Sequence, residues 1–160
     1  MLQIAALLIA LAAPAQSSPH HHPQAAAKTS ASTSYDSLQW QTMVPELGAD
    51  SPQVAILRVD PKTQATQLLI RIPKQMHVPV HWHSANETHT VIKGTFVFEH
   101  EGQRHELGPG GFNYVPARMQ HQAWASDDAL VFITVDAGWD VNWVSGPPAR
   151  ADLGQPLPRR

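Results

Sequence analysis

A chain of 160 residues is long enough for one domain and short for two. Its formal charge of -2 provides no basic field for nucleic acid and no polybasic patch for a membrane surface, which leaves a small molecule as the expected partner. The absence of cysteine excludes disulfides and thiolate ligands, so any metal must rest on imidazole and carboxylate. A hydrophobic content of 42% allows a packed core, and 14 prolines with 9 glycines favour many turns over long helices.

Leu2 to Ala13 is an apolar run closed by Ala13-Pro14-Ala15. The small-x-small pattern predicts a secretory signal peptide over residues 1–15, and hence a periplasmic or secreted protein. The run falls well short of the ~20 residues that span a bilayer, so no membrane association is expected once it is removed. Residues 16–37 are Ser, Ala, Pro, Gln and Thr with few large apolar side chains, the composition of a flexible linker. Inside it, His20-His21-His22 reads as a solvated tract or a weak metal binder.

Residues 38–147 then read as one domain of successive short strands. Val54 to Val59 is rich in β-branched side chains, and Asp60-Pro61-Lys62-Thr63 suits a type I turn. Gln67 to Ile72 follows, then the strand that leads into His81, then Thr88 to Glu99 with Gly94 as an internal break. Glu101-Gly102 turns the chain before Arg104 to Leu107, and Pro109-Gly110-Gly111 turns it again before Phe112 to Val115. His121 to Ala125, Ala129 to Val135 and Trp139 to Val144 complete the set. Strands of this length and spacing predict an all-β sandwich or barrel without a helix of useful length. Residues 148–160, rich in Pro and Arg, form an extended tail or pack on an edge.

One stretch carries chemistry. In His81-Trp82-His83 the two imidazoles alternate with Trp82, so they share a face of an extended strand while Trp82 points away. Three residues, Ser84 to Asn86, suffice for a reversal that returns Glu87 to the same face. Farther on, Gly110 and Pro116 lead into His121 at the start of another strand. Three imidazole nitrogens and one carboxylate oxygen suit a divalent first-row metal. Ala123 and Ala125 alternate with His121, and their small side chains leave room beside such an ion. His89 follows Glu87 by two, on the same face of a regular strand, which makes it either an acid–base group or a histidine packed on the barrel wall. Arg118 precedes His121 in the same loop and is either a contact for an anionic substrate or a surface charge. The aromatic side chains, among them Phe96, Phe98, Trp139 and Trp143, read as core and edge packing, some of them beside the pocket.

The run from His81 through His83 and Glu87 to Gly94 resembles the first motif of the cupins, and Gly110, Pro116 and His121 resemble the second. Three positions depart from the pattern: Gln75 and Arg118 stand where the motifs have glycine, and Ala125 where the second has asparagine. The resemblance covers roughly 51–144 and extends to the cupin part of anti-sigma factors of the ChrR type. It implies a double-stranded β-helix, the jelly-roll barrel of RmlC-like cupins. It also implies one divalent metal (Mn, Zn, Ni or Fe) on His81, His83, Glu87 and His121, and a homodimer as a possible assembly. For function it implies a metal-dependent dioxygenase, lyase or isomerase acting on a small oxygen-bearing molecule, or a sensor or storage protein without catalysis.

Overall fold

A computed structural model describes residues 30–157. The predicted signal peptide, the His20-His21-His22 tract, most of the predicted linker and residues 158–160 lie outside the described residues. Eleven strands follow in chain order: β1 (Gln41–Thr42), β2 (Gln53–Val59), β3 (Thr66–Ile72), β4 (Met76–Trp82), β5 (Glu87–Lys93), β6 (Phe96–His100), β7 (Gln103–Leu107), β8 (Phe112–Val115), β9 (His121–Ala125), β10 (Ala129–Val135) and β11 (Asn142–Trp143). They form two antiparallel sheets, one of six strands in the order β1-β2-β3-β10-β5-β8 and one of five in the order β11-β4-β9-β6-β7. Sequence neighbours such as β5 and β6 fall in different sheets, the double-wound arrangement expected of a jelly roll. The described helical segments are short 3-10 stretches, Tyr35–Ser37, Pro45–Asp50 (broken by a kink at Gly48) and Arg150–Asp152.

Alternation explains which side chains fill the space between the sheets. In β10 the residues Ala129, Val131, Ile133 and Val135 are buried while Leu130, Phe132 and Thr134 are half-buried on the other face. Its β-branched side chains suit a pleated surface packed on one side. Leu68, Ile70 and Ile72 of β3 do the same beside it, paired with Ile133, Val131 and Ala129. Met76, Phe96, Phe98 and Ala123 meet them from the five-stranded sheet.

Turns occur where side chains stabilise them. Asp60 Oδ1 accepts the backbone N–H of Lys62 at 2.9 Å and of Thr63 at 3.0 Å, closing the β2–β3 turn. Gly94 adopts φ +78° at the corner where the chain leaves the six-stranded sheet for the other. Gln75 and Arg118, which replace motif glycines, adopt φ +53° and +65°. The turns thus survive without glycine, at the steric cost of a Cβ in the left-handed region. Gln75→Gly is therefore expected to stabilise the fold by about 0.5–1 kcal/mol, the relieved strain exceeding the added freedom of the unfolded chain. An unchanged or lower denaturation midpoint would contradict this.

Two ends differ from the sequence reading. Trp139 to Val144 does not form one strand: only Asn142 and Trp143 pair, with Trp82 and His81. Asp140 is withdrawn from pairing because its carboxylate accepts the N–H and hydroxyl of Ser84 at 2.8 and 2.6 Å. Residues 35–37, read as the end of the linker, make a 3-10 turn, and the Tyr35 hydroxyl accepts a hydrogen bond from Arg71 Nε at 3.1 Å. The chain after Gly146 packs on an edge: Leu153 bridges to Met76, and Asp152 lies 2.8 Å from Nδ1 of His77 on β4.

Candidate metal centre

His81 and His121 face each other as a register pair between β4 and β9. A bulge between Val78 and His81 re-aims the end of β4. His83 follows in the turn, whose exit is fixed when Asn86 donates its backbone and side-chain N–H groups to Asp136. All three imidazoles are buried, with ring centroids 4.2 to 5.2 Å apart. One nitrogen from each lies within 4.8 Å of the others, and among the described residues this group can hold a metal ion.

The hydrogen bonds decide which nitrogen is free. His81 Nδ1 donates to the carbonyl of Pro79 at 2.7 Å, His83 Nδ1 to that of Asp140 at 2.5 Å, and His121 Nδ1 to that of Met119 at 3.0 Å. A neutral ring that donates from Nδ1 keeps its lone pair on Nε2, the arrangement a ligating histidine needs. The Asp140 carbonyl was not legible as a support: backbone oxygens carry no sequence signal, and Asp140 lies far from His83 along the chain.

Glu87 opens β5 and is only 1% exposed. Its Oε2 lies 3.0 Å from His83 Nε2 and 3.2 Å from His89 Nε2, yet no N–H is angled to donate to it. With the His83 proton on Nδ1, that 3.0 Å contact sets a lone pair against a carboxylate oxygen. A proton on Nε2, in keeping with the raised pKa of His83, or a metal cation relieves the contact, and the donor set of imidazoles and carboxylate fits a divalent transition metal. Glu87 is nevertheless turned toward His83 and His89 and stands outside the tight group of three nitrogens.

Burial and charge set the protonation. Burial pushes His81 down to about 4 and His121 down to about 3, so both rings are neutral near pH 7. For His83 burial acts the same way, but the adjacent Glu87 carboxylate outweighs it and the pKa rises. For Glu87 burial favours the neutral acid, and the adjacent His89 and His83 rings overcome it, holding the carboxyl far below the usual range.

A stability effect follows with a definite sign. In metal-free protein the unfolded chain protonates His81 and His121 near 6.5, whereas the folded chain resists until about 4 and 3. The unfolded state therefore binds more protons as pH falls through that interval, and folding weakens by roughly 3 kcal/mol for each ring. His83 acts oppositely, its contribution being present below 6.5 and lost as pH rises through its folded pKa. That loss lies above pH 6.5, so the melting temperature should drop between pH 6.5 and 4 as His81 and His121 protonate in the unfolded chain. A flat profile would contradict neutral burial of His81 and His121.

The other predicted residues are placed clearly. The His89 ring is buried on the inner face, with Nδ1 2.8 Å from Asn113 Oδ1. Arg118 is exposed and lines a surface groove with Glu99, His100 and His121, not the cavity that the three imidazoles share; its backbone N–H donates to the carbonyl of His83 at 2.8 Å. Ala123 lines the cavity, Ala125 is buried near by, and Trp82 is half-buried and does not line it. The cavity holds about 60 Å³ and is walled largely by aliphatic and aromatic side chains, with Trp139 and Trp143 among them.

The family model of the cupin domain matches residues 68–136, which include every residue of this group. These residues form a cupin domain. This cupin is similar in structure to KdgF from Halomonas sp., at 21% identity and a TM-score of 0.54, covering 64% of this chain and 91% of that one. It is also similar to an RmlC-like cupin from Shewanella frigidimarina NCIMB 400, at 17% identity and a TM-score of 0.57 over 78% and 96% of the two chains. The polyketide cyclase RemF from Streptomyces resistomycificus matches at 16% identity and a TM-score of 0.59, over 72% and 86%. No curated protein matches the chain in sequence. At these identities the structural likeness speaks for the jelly-roll fold alone.

Proposed function

We propose that this cupin is an exported, metal-dependent enzyme acting on a small oxygen-bearing molecule, with His81, His83 and His121 as ligands and Glu87 as the fourth. The observation that carries the reading is the orientation of the three imidazoles, each anchored through Nδ1 to a backbone carbonyl with Nε2 left for an ion. Bound there, a divalent transition metal supplies Lewis acidity or a redox couple. The apolar wall strengthens every electrostatic contact with a bound molecule.

His89 supplies the proton chemistry. With Asn113 Oδ1 toward the ring, Nδ1 donates to it and Nε2 faces the Glu87 carboxylate. With the amide turned over, Nδ2, otherwise buried without an acceptor, donates to Nδ1, and the neutral ring keeps its proton on Nε2 facing Glu87. Rotation of one amide thus lets the ring proton sit on either nitrogen while Nδ1 keeps its hydrogen bond to Asn113. His89→Gln should retain the metal while turnover falls by about 10²–10⁴-fold, the usual scale for a general acid or base. Unchanged turnover on an identified substrate would remove His89 from the mechanism, and unchanged metal-dependent binding of a partner protein would favour a sensor.

Export rests on the apolar start and Ala13-Pro14-Ala15, and a mature chain beginning near Gln16 is the expected product. A homodimer is supported by exposed Phe112 and Tyr114, 60% and 55% accessible on the edge strand β8.

A further inference from the structure

The cavity beside the imidazoles is built of Ile70, Ile72, Val78, Phe96, Val131 and Ile133 with a few further apolar neighbours. No lysine or arginine lines it among the described residues. Its polar groups are the four histidines, Glu87 and the indoles of Trp139 and Trp143. Trp139 Nε1 is buried and has no acceptor among the described residues. A buried donor without a partner is unfavourable and uncommon, and this one belongs to a side chain of the cavity wall.

Charge narrows the ligand further. A divalent ion set against the one Glu87 carboxylate leaves a single positive charge inside an apolar wall. A ligand that releases one proton on binding neutralises it. A dianion would leave a net negative charge with no lysine or arginine in the wall to meet it.

Resting on the metal-centre reading above, we propose that the cavity takes a small, uncharged, mainly apolar molecule bearing a carbonyl or acidic hydroxyl, and that Trp139 donates its indole N–H to an oxygen of that molecule. Trp139 then fixes the ligand's orientation against the imidazole group, and the wall excludes dicarboxylates and phosphates.

The test uses zinc-loaded protein and two probes of similar size, acetohydroxamic acid, which is uncharged at pH 7, and oxalate, a dianion. The chain has 5 tryptophans, so its ¹H–¹⁵N spectrum carries that many indole signals, assignable through backbone connectivities in the unmutated protein. Acetohydroxamic acid should move the Trp139 indole proton downfield, and calorimetry should show oxalate binding at least tenfold more weakly. Trp139→Phe should weaken acetohydroxamic acid about five- to tenfold, the worth of one hydrogen bond, with zinc content unchanged. An unmoved Trp139 signal at saturating probe, equal affinity in Trp139→Phe, or tighter binding of oxalate would each overturn the proposal. The unmutated protein's indole signal decides the point even if Trp139→Phe does not fold. Failure to load zinc is seen by metal analysis before any probe is added and counts against the metal centre; the indole response of metal-free protein then decides the role of Trp139 separately.

Discussion

A protein carrying both His81→Ala and His83→Ala is expected to lose its metal, with affinity down by roughly 10³-fold or more. The single changes and His121→Ala should each lower occupancy strongly, because the three rings supply the nitrogens that converge within 4.8 Å. Losing an outer partner of a ligand already costs about 10–100-fold, and losing two ligands together exceeds that. Glu87→Ala removes the hard oxygen and should weaken binding or shift preference among metals. It also leaves the His83 and His89 rings without the carboxylate that both now approach. Metal content after dialysis, measured on variants that keep their β-sheet circular dichroism, checks all of these. Full occupancy in the double variant would remove the ligand assignment.

The second large effect concerns folding. A Cβ at Gly94 would press on the carbonyl oxygen of Asp128 and stand 2.9 Å from Cα of Ala129, and these backbone atoms have little room to give. The position also has φ +78°, which disfavours any Cβ. Gly94→Ala is expected to cost roughly 2–5 kcal/mol, combining overpacking with backbone strain. Out of a typical 5–15 kcal/mol, that is enough to threaten the fold. Gly102→Ala provides the contrast: φ is +73° but nothing lies within 4 Å of the added carbon, so only the strain, about 1 kcal/mol, should appear. Equal losses at the two positions would show that the close approach of the Asp128 turn contributes nothing.

Gly94 also illustrates how much of this protein the chain alone disclosed. Its motif position and the break in apolar pattern marked a bend, and strand limits at Phe112–Val115, His121–Ala125 and Ala129–Val135 follow directly from alternation and flanking turns. The convergence of His81, His83 and His121 was equally legible, because two-residue spacing on a strand fixes a shared face. What the sequence hid are contacts between distant segments. Asp140 was read only as part of a strand from Trp139 to Val144, yet its carbonyl orients His83 and its carboxylate holds Ser84. Arg118 read as either a substrate contact or a surface charge, and it lies exposed in a surface groove beside the cavity. Trp139 and Asn113 carry no motif, and their importance lies in buried polar atoms that only packing brings beside the site.

The central claim is that a buried group of three imidazoles and one carboxylate holds a catalytic metal. Elemental analysis of protein purified from its own compartment, with neither chelator nor added metal, tests it most directly. The account predicts one transition-metal ion per chain, absent from the His81→Ala/His83→Ala variant. A chain that emerges without metal, and takes up neither zinc nor cobalt when offered either near pH 7, would contradict it.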